Sequence, residues 1–221
     1  MKPLVDHTIP LSRSCDLHPL RKAWHAGSGL ALFWVAFYSG LDRGTVLLLL
    51  GVFFTADLSL ELARLSFPGL NRLVLRVFGP IMRDREAHTL SGTPFYLAGF
   101  LTAILVFPRP VAQLALLYLI LGDPAASIAG ILSKSRGPRL AAEKTLIGTG
   151  TAALVCFAVT LFMLPLLVLP GELTWTNRAL LALAGGMAGG MAELFPVKID
   201  DNFIIPVVSG LLLWPFFILL T

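Results

Sequence analysis

Apolar residues in this chain do not alternate with polar ones; they gather into seven long runs divided by short polar breaks. The runs are residues 23–41, 44–62, 92–107, 111–132, 146–169, 179–195 and 204–220. Each is near the roughly 20 residues that a helix needs to cross the hydrocarbon core of a bilayer. Backbone in lipid must satisfy its own hydrogen bonds, so runs of this length predict helices. The expected fold class is all-α, a polytopic transmembrane bundle of about seven spans. The third run is short, and the fourth and sixth carry a carboxylate near one end. Six spans with one re-entrant segment is therefore the alternative. Short loops predict one membrane-embedded domain, residues 23–221, after a cytoplasmic N-terminal segment, residues 1–22.

Two stretches add to this plan. Between residues 65 and 90, Leu70, Leu73, Val74, Val77, Phe78 and Ile81 recur at helical spacing, with Arg72, Arg76, Arg83 and Arg85 between them. That pattern predicts an amphipathic helix on the inner leaflet, connecting spans 2 and 3. The pairs Gly185-Gly186 and Gly189-Gly190 give the small-residue spacing of close helix packing, which can also serve a homodimer.

Composition agrees with a membrane protein. The 221 residues are 56% hydrophobic and only 14% charged, against roughly 45–50% and 25% in soluble domains. Charge then sets orientation. Of the 17 Lys and Arg, all but Arg43, Arg109 and Arg178 fall on one side of the expected bundle. Positive loops stay in the cytoplasm, so the N-terminus is expected there and, with seven spans, the C-terminus outside. The first run ends without a small-residue cleavage site, so no cleavable signal peptide is expected. Cys15 and Cys156 lie far apart and read as unpaired thiols.

The carboxylates gather on the same side as the cations. Asp57 and Glu61 lie four apart near the cytoplasmic end of the second run, with Arg64 on the same helix face. Asp123 ends the apolar part of the fourth run, Glu193 ends the sixth, and Asp200, Asp201 and Asn202 precede the seventh. Ionisable groups at such depth mark function by default, with an internal ion pair such as Glu61–Arg64 as the structural alternative. Several carboxylates offer hard oxygen ligands to Mg²⁺, and nearby cations neutralise phosphate. Phosphoryl transfer needs little beyond that positioning and charge. No G-x-x-x-x-G-K-[ST], H-E-x-x-H or G-x-S-x-G occurs, which excludes P-loop ATPases, zincin proteases and typical serine hydrolases. His25, four residues after Arg21, suits a phosphate contact or an interfacial structural histidine.

In order and spacing, several motifs together resemble the CTP-dependent lipid kinases, the group of diacylglycerol kinase (CTP), dolichol kinase and phytol kinase. They are Arg21-Lys22-x-x-His25, Glu61-Leu62-Ala63-Arg64, Pro68-x-x-Asn71, Gly79-Pro80-Ile81-Met82-Arg83-x-x-Glu86 and Ser91-Gly92. Further on come Gly122-Asp123-x-x-Ala126-x-x-x-Gly130, Glu143-Lys144-Thr145-x-x-Gly148, Glu193 and Asp200-Asp201-Asn202-x-x-x-Pro206. The stretch from Glu61 to Gly92 is most similar to the diacylglycerol kinase (CTP) branch. Glu143 departs from the pattern where a second lysine is common, and so does Pro124 directly after Asp123.

The resemblance implies CTP as phosphate donor, a membrane lipid alcohol as acceptor, Mg²⁺ or another divalent cation, and no nucleic acid. Diacylglycerol is the expected acceptor, giving phosphatidate and CDP, with polyprenol (dolichol) or phytol as alternatives. It also implies roles. Asp123 is a metal ligand or orients the acceptor hydroxyl, and Lys144 is catalytic beside it. Arg21, Lys22, Gly122, Gly130, Lys134, Arg139, Thr145, Gly148 and Asn202 are expected at the nucleotide and its phosphates. Glu193, Asp200 and Asp201 join Asp123 as metal candidates, and Asp57, Glu61, Arg64, Asn71, Arg83 and Glu86 are further functional candidates. Two other functions compete: a CTP:phosphatidate cytidylyltransferase, which attacks the α-phosphate, and a small lipid or ion-coupled transporter. Charges clustered at one face, away from the midplane, count against transport.

Overall fold

The computed structural model describes residues 17–133, 144–169, 171–196 and 199–221. Among the described residues there are nine α-helices and no strands. They are α1 (Pro19–Tyr38), α2 (Arg43–Ser66), α3 (Pro68–Phe78), α4 (Gly92–Val106), α5 (Arg109–Leu117), α6 (Asp123–Leu132), α7 (Leu146–Met163), α8 (Trp175–Glu193) and α9 (Asp201–Leu220). A π-helical turn, Tyr118–Gly122, joins α5 to α6, so residues 109–132 form one rod. Each of the seven apolar runs therefore holds helix. Among the described residues, four stretches are long and apolar enough to cross a membrane: Arg43–Ser66, Arg109–Leu132, Leu146–Leu166 and Asp201–Leu220, with Gly92–Val106 a shorter apolar helix.

The helix starts follow from local chemistry. Asp42, Ser91, Thr145, Thr174 and Asp200 each accept a backbone N–H of the first turn that follows, satisfying donors that an α-helix leaves open. Pro19 and Pro68 stand at first-turn positions, where no N–H is needed. Gly40 makes the reversal between α1 and α2 at φ 83°, a conformation costly for other residues.

The rod is the axis of the core. Val111, Leu114, Leu116, Tyr118, Leu119 and Ile120 are all fully buried, with α9, α7, α4 and α1 around them. The tightest seam is α7 against α8, and the paired glycines make it. A Cβ at Gly186 would stand 2.9 Å from the Ala153 carbonyl, one at Gly189 2.7 Å from the Cys156 Cβ, and one at Gly185 would meet Thr160 and the Tyr118 hydroxyl. These glycines are engaged within the chain, so their spacing carries no argument for a homodimer. Cys156 is a buried free thiol in this seam; Cys15 lies outside the described residues.

The stretch from 65 to 90 is helical over a shorter length than its pattern predicts. Beyond the end of α2, only Pro68–Phe78 is α-helix, because Gly79-Pro80 tightens the chain into a 3₁₀ turn, followed by a second at Asp84–Ala87. Leu75 packs with Met82 and Ala87, while Leu73, Val77 and Phe78 stay exposed. At the far end of the bundle Arg43 donates to the Ile104 and Leu105 carbonyls, and Arg109 to that of Phe37. These arginines close the ends of α4 and α1.

The α7–α8 seam yields a stability test. Gly189→Val drives a branched side chain into Cys156, and overpacking of this kind costs about 1–3 kcal/mol. A lower melting temperature of the detergent-solubilised variant is the expected outcome.

Candidate active site

Charged side chains meet at the end of the bundle formed by the starts of α1, α6, α7 and α9 and the ends of α2 and α8. Asp123 stands at the first position of α6, within the continuous rod. It arrives there through the π turn. The Asp123 N–H reaches back to the Tyr118 carbonyl, one residue beyond its α-helical partner. Pro124 explains the irregularity, since it has no N–H to continue the ladder and its ring crowds the preceding turn. Single π turns of this kind often sit at functional sites. The Asp123 side chain is 24% exposed.

Three groups approach it from other helices. His25 of α1 places Nε2 3.9 Å from Asp123 Oδ2, and the same nitrogen donates to the Leu119 carbonyl at 3.1 Å. Lys22, one turn earlier, donates to Ser127 Oγ at 2.9 Å and feels the Asp123 charge. Ser127 lies four residues after Asp123 and so shares its face. Glu193, at the end of α8, is close enough for its charge to interact with that of Asp123. Its Oε2 is buried without a hydrogen-bond partner. Its Oε1 accepts from Lys144 Nζ at 2.8 Å, and the same ammonium donates to Asp201 at 2.8 Å.

Lys144 precedes α7, outside the apolar segment. Burial pulls its pKa down, but the Glu193 and Asp201 carboxylates outweigh that and hold it above a lysine's ordinary 10.5. A raised folded-state pKa means that the contact stabilises fully below the unfolded value and is lost only as pH climbs through the folded one. Asp200 caps α9 and faces Arg83 at 3.6 Å and Arg85 at 3.4 Å. Burial raises its pKa, and Arg83 opposes that shift without cancelling it. Asn202 is buried and donates to the Gly92 carbonyl at 3.1 Å. Gly92 has to be small here, because a Cβ would come 2.7 Å from the Asn202 amide nitrogen and 3.4 Å from Arg21.

Arg21 is engaged by protein. It binds Glu86 through two hydrogen bonds of 3.1 Å each and the Ile81 carbonyl at 2.7 Å. Glu86 also accepts the Arg83 backbone N–H at 2.9 Å, which fixes the turn carrying Arg83 and Arg85. Beneath lies a fully buried clasp. Arg64 pairs with Glu61 in a fork of 2.7 and 2.6 Å and donates to Asn71 and to the Glu86 and Thr89 carbonyls. Asn71 in turn donates to Ala87, and Glu61 accepts the Ser91 N–H. Glu61, Arg64 and Asn71 thus hold the 79–91 connection in place. Asp57, one turn before Glu61, keeps Oδ2 buried and without a hydrogen-bond partner.

The expected nucleotide glycines are packing positions in this geometry. A Cβ on Gly130 would press on Thr145 Oγ1 at 3.2 Å, and one on Gly148 on the Ala126 carbonyl at 3.0 Å. They let α6 and α7 meet closely, while Thr145 caps α7 by accepting the Gly148 N–H. Gly122 leaves room for the Cys156 sulfur. Lys134, Arg139 and Glu143 lie outside the described residues. Among the described residues, no three His, Cys, Asp or Glu side chains form a ready cage for a metal. The carboxylates divide instead: Asp200 faces arginines, Asp201 faces Lys144, and Glu193 and Asp123 each retain an uncommitted oxygen. Sequence reasoning missed Ser127 and Arg85 as members of the site. The i+4 spacing from Asp123 could have found Ser127; no local signal points to Arg85.

Three relatives align with most of the chain. The chain is 34% identical over 206 residues to "CTP-dependent diacylglycerol kinase 1" of Eremothecium gossypii, covering 86% of this chain and 64% of that protein, somewhat under two thirds. The protein of the same name in Saccharomyces cerevisiae is 30% identical over 86% of this chain and 70% of its own length. That in Schizosaccharomyces pombe is 30% identical over 88% and 91%. No family model matches the chain, and no solved structure does.

Two stability measurements test this geometry. Arg64→Met strands the Glu61 carboxylate in the interior, and breaking a buried pair costs about 3–5 kcal/mol; a large drop in melting temperature is expected. Lys144→Met also destabilises, and the loss persists from about pH 7 to about pH 9.5, because the ammonium stays charged throughout that window. A difference that vanishes toward pH 9.5 would mean that Lys144 deprotonates early.

Proposed function

The chain belongs to the family of CTP-dependent diacylglycerol kinases, and from that premise we propose that it transfers the γ-phosphoryl group of CTP to the hydroxyl of diacylglycerol. One observation carries the reading. A partly exposed carboxylate, Asp123, interrupts an apolar rod with Lys22, Lys144, Arg83 and Arg85 gathered at the same end of the bundle. Acyl chains lie among the apolar helices, and the headgroup meets Asp123 at their edge.

Asp123 orients the acceptor hydroxyl and takes its proton. The hydroxyl oxygen bonds to the γ-phosphorus as the bond to the bridging β–γ oxygen breaks, leaving phosphatidate and CDP. Lys144 and Lys22 neutralise phosphate charge, with Lys134 and Arg139 as further cations and Arg21 holding the 79–91 turn behind them. Positioning and charge of this sort supply most of the catalysis in phosphoryl transfer.

The residues present also fit a divalent ion such as Mg²⁺. Glu193 offers a buried oxygen with no partner and Asp123 a second carboxylate at the same end of the bundle, and one or two carboxylates with phosphate oxygens is the usual Mg²⁺ set. When bound, the ion would neutralise the phosphate oxygens. In the membrane, seven spans with a cytoplasmic N-terminus set this end of the bundle at the cytoplasmic leaflet. Fourteen of the 17 Lys and Arg on that side support the orientation.

Purified enzyme offered CTP, ATP, UTP or GTP with diacylglycerol, polyprenol or phytol is expected to form phosphatidate from CTP and diacylglycerol. Preference for another alcohol or nucleotide would overturn the substrate assignment. Asp123→Ala should keep the wild-type melting temperature and lose turnover by about 10²–10⁴-fold; retained turnover would remove Asp123 from the chemistry.

A further inference from the structure

Pro124 creates a gap in the rod one residue after the key carboxylate. In a regular α-helix the Asp123 N–H would bond the Leu119 carbonyl, but here it goes to Tyr118. The next donor in line is the N–H of residue 124, and proline has none. Leu119 is fully buried, so its carbonyl depends on a side chain for a partner.

His25 is that partner. Its Nε2 lies 3.1 Å from the Leu119 carbonyl oxygen. A carbonyl only accepts, so this nitrogen carries a proton and is not available as a base. The same N–H faces Asp123 Oδ2 at 3.9 Å, so one imidazole spans both the gap and the carboxylate. The ring is itself held. Tyr96 packs edge-on against it at 4.8 Å, and the Tyr96 hydroxyl donates to the His25 carbonyl at 3.2 Å. Gly29 makes that approach feasible, since a Cβ there would collide with the Tyr96 hydroxyl and stand 2.7 Å from Ile120. Through these contacts α1 is locked onto the π turn.

We infer that His25 is the positioning residue of the site: its Nε2–H satisfies the Leu119 carbonyl, stabilises the π turn, and so fixes the direction in which Asp123 points. This rests on the assignment of Asp123 to the reaction. A π turn holds one extra residue, and closing it would rotate Asp123 by about 100° around the rod, given 3.6 residues per turn. The carboxylate would then leave the face it shares with Ser127, Lys22 and Glu193. His25 lies 3.9 Å from Asp123 Oδ2, beyond hydrogen-bond distance, and it acts through the helix that carries Asp123.

The test compares His25→Gln, whose amide nitrogen can occupy the place of Nε2, with His25→Leu, which has no donor. His25→Asn, whose amide falls short of Leu119, replaces the leucine variant if that one fails to fold. In the full-length enzyme in detergent micelles, His25→Leu is expected to lower kcat by about 100-fold, the scale of an ångström-sized misplacement, with the KM for CTP unchanged. His25→Gln should recover most of kcat. Wild-type kcat in His25→Leu, or equal losses in the Gln and Leu variants at matched melting temperature, would overturn the inference. So would a raised KM for CTP with kcat intact, which would make His25 a nucleotide contact. Asp123→Asn measured alongside separates the two ideas: if it is inactive while His25→Leu is active, only the positioning role fails. If Asp123→Asn is active, the assignment beneath it fails and the positioning role falls with it.

Discussion

Lys144 stands between two carboxylates, Glu193 and Asp201, at 2.8 Å each, and this three-way contact gathers the ends of separate helices into one site. The glutamate closes α8, the aspartate opens α9, and the lysine precedes α7. Without the ammonium, two acids would face each other at the edge of an apolar bundle, where an unpaired charge is expensive. Asp123 draws on the same balance, because Glu193 lies within reach of its charge. The geometry of the carboxylates therefore depends on where one lysine sits.

A second set of paired charges builds the wall behind that centre. The buried Glu61–Arg64 fork anchors the 79–91 connection, Glu86 ties it to Arg21, and Arg83 and Arg85 reach Asp200. This order suits a phosphate-handling site. Cations held by carboxylates at rest are already in place when a polyphosphate arrives, so little reorganisation is needed. Glu61, Arg64 and Asn71, chosen from the sequence for their chemistry, earn their place as the clasp that positions this wall.

Much of the fold was legible in the sequence, because a helix in lipid announces itself by length and apolarity alone. All seven runs hold helix, and the gathering of Glu193 and Asp200–Asn202 at one end of the bundle followed from their positions at run ends. The identity of their partners was not legible. Arg21 reads as a phosphate cation from its neighbours Lys22 and His25, yet it meets Glu86, 65 residues away, a pairing set only by how α1 packs. The same limit hid Lys144 with Glu193 and Arg85 with Asp200. Pro124 was visible as a departure beside Asp123, but the π turn it produces, and the histidine that completes it, depend on α1 lying alongside the rod. The glycines at 130 and 148 read as room for a ligand, while the helices use that room for each other.

The central claim is that this charged end of the bundle moves the terminal phosphate of CTP onto a lipid alcohol. The most direct measurement follows the label from CTP carrying ³²P at either the α or the γ position into the lipid product of the purified enzyme. The account predicts γ-label in phosphatidate, with CDP released and no α-label in lipid. Label from the α position in the lipid, with pyrophosphate released, would contradict it and make the protein a cytidylyltransferase.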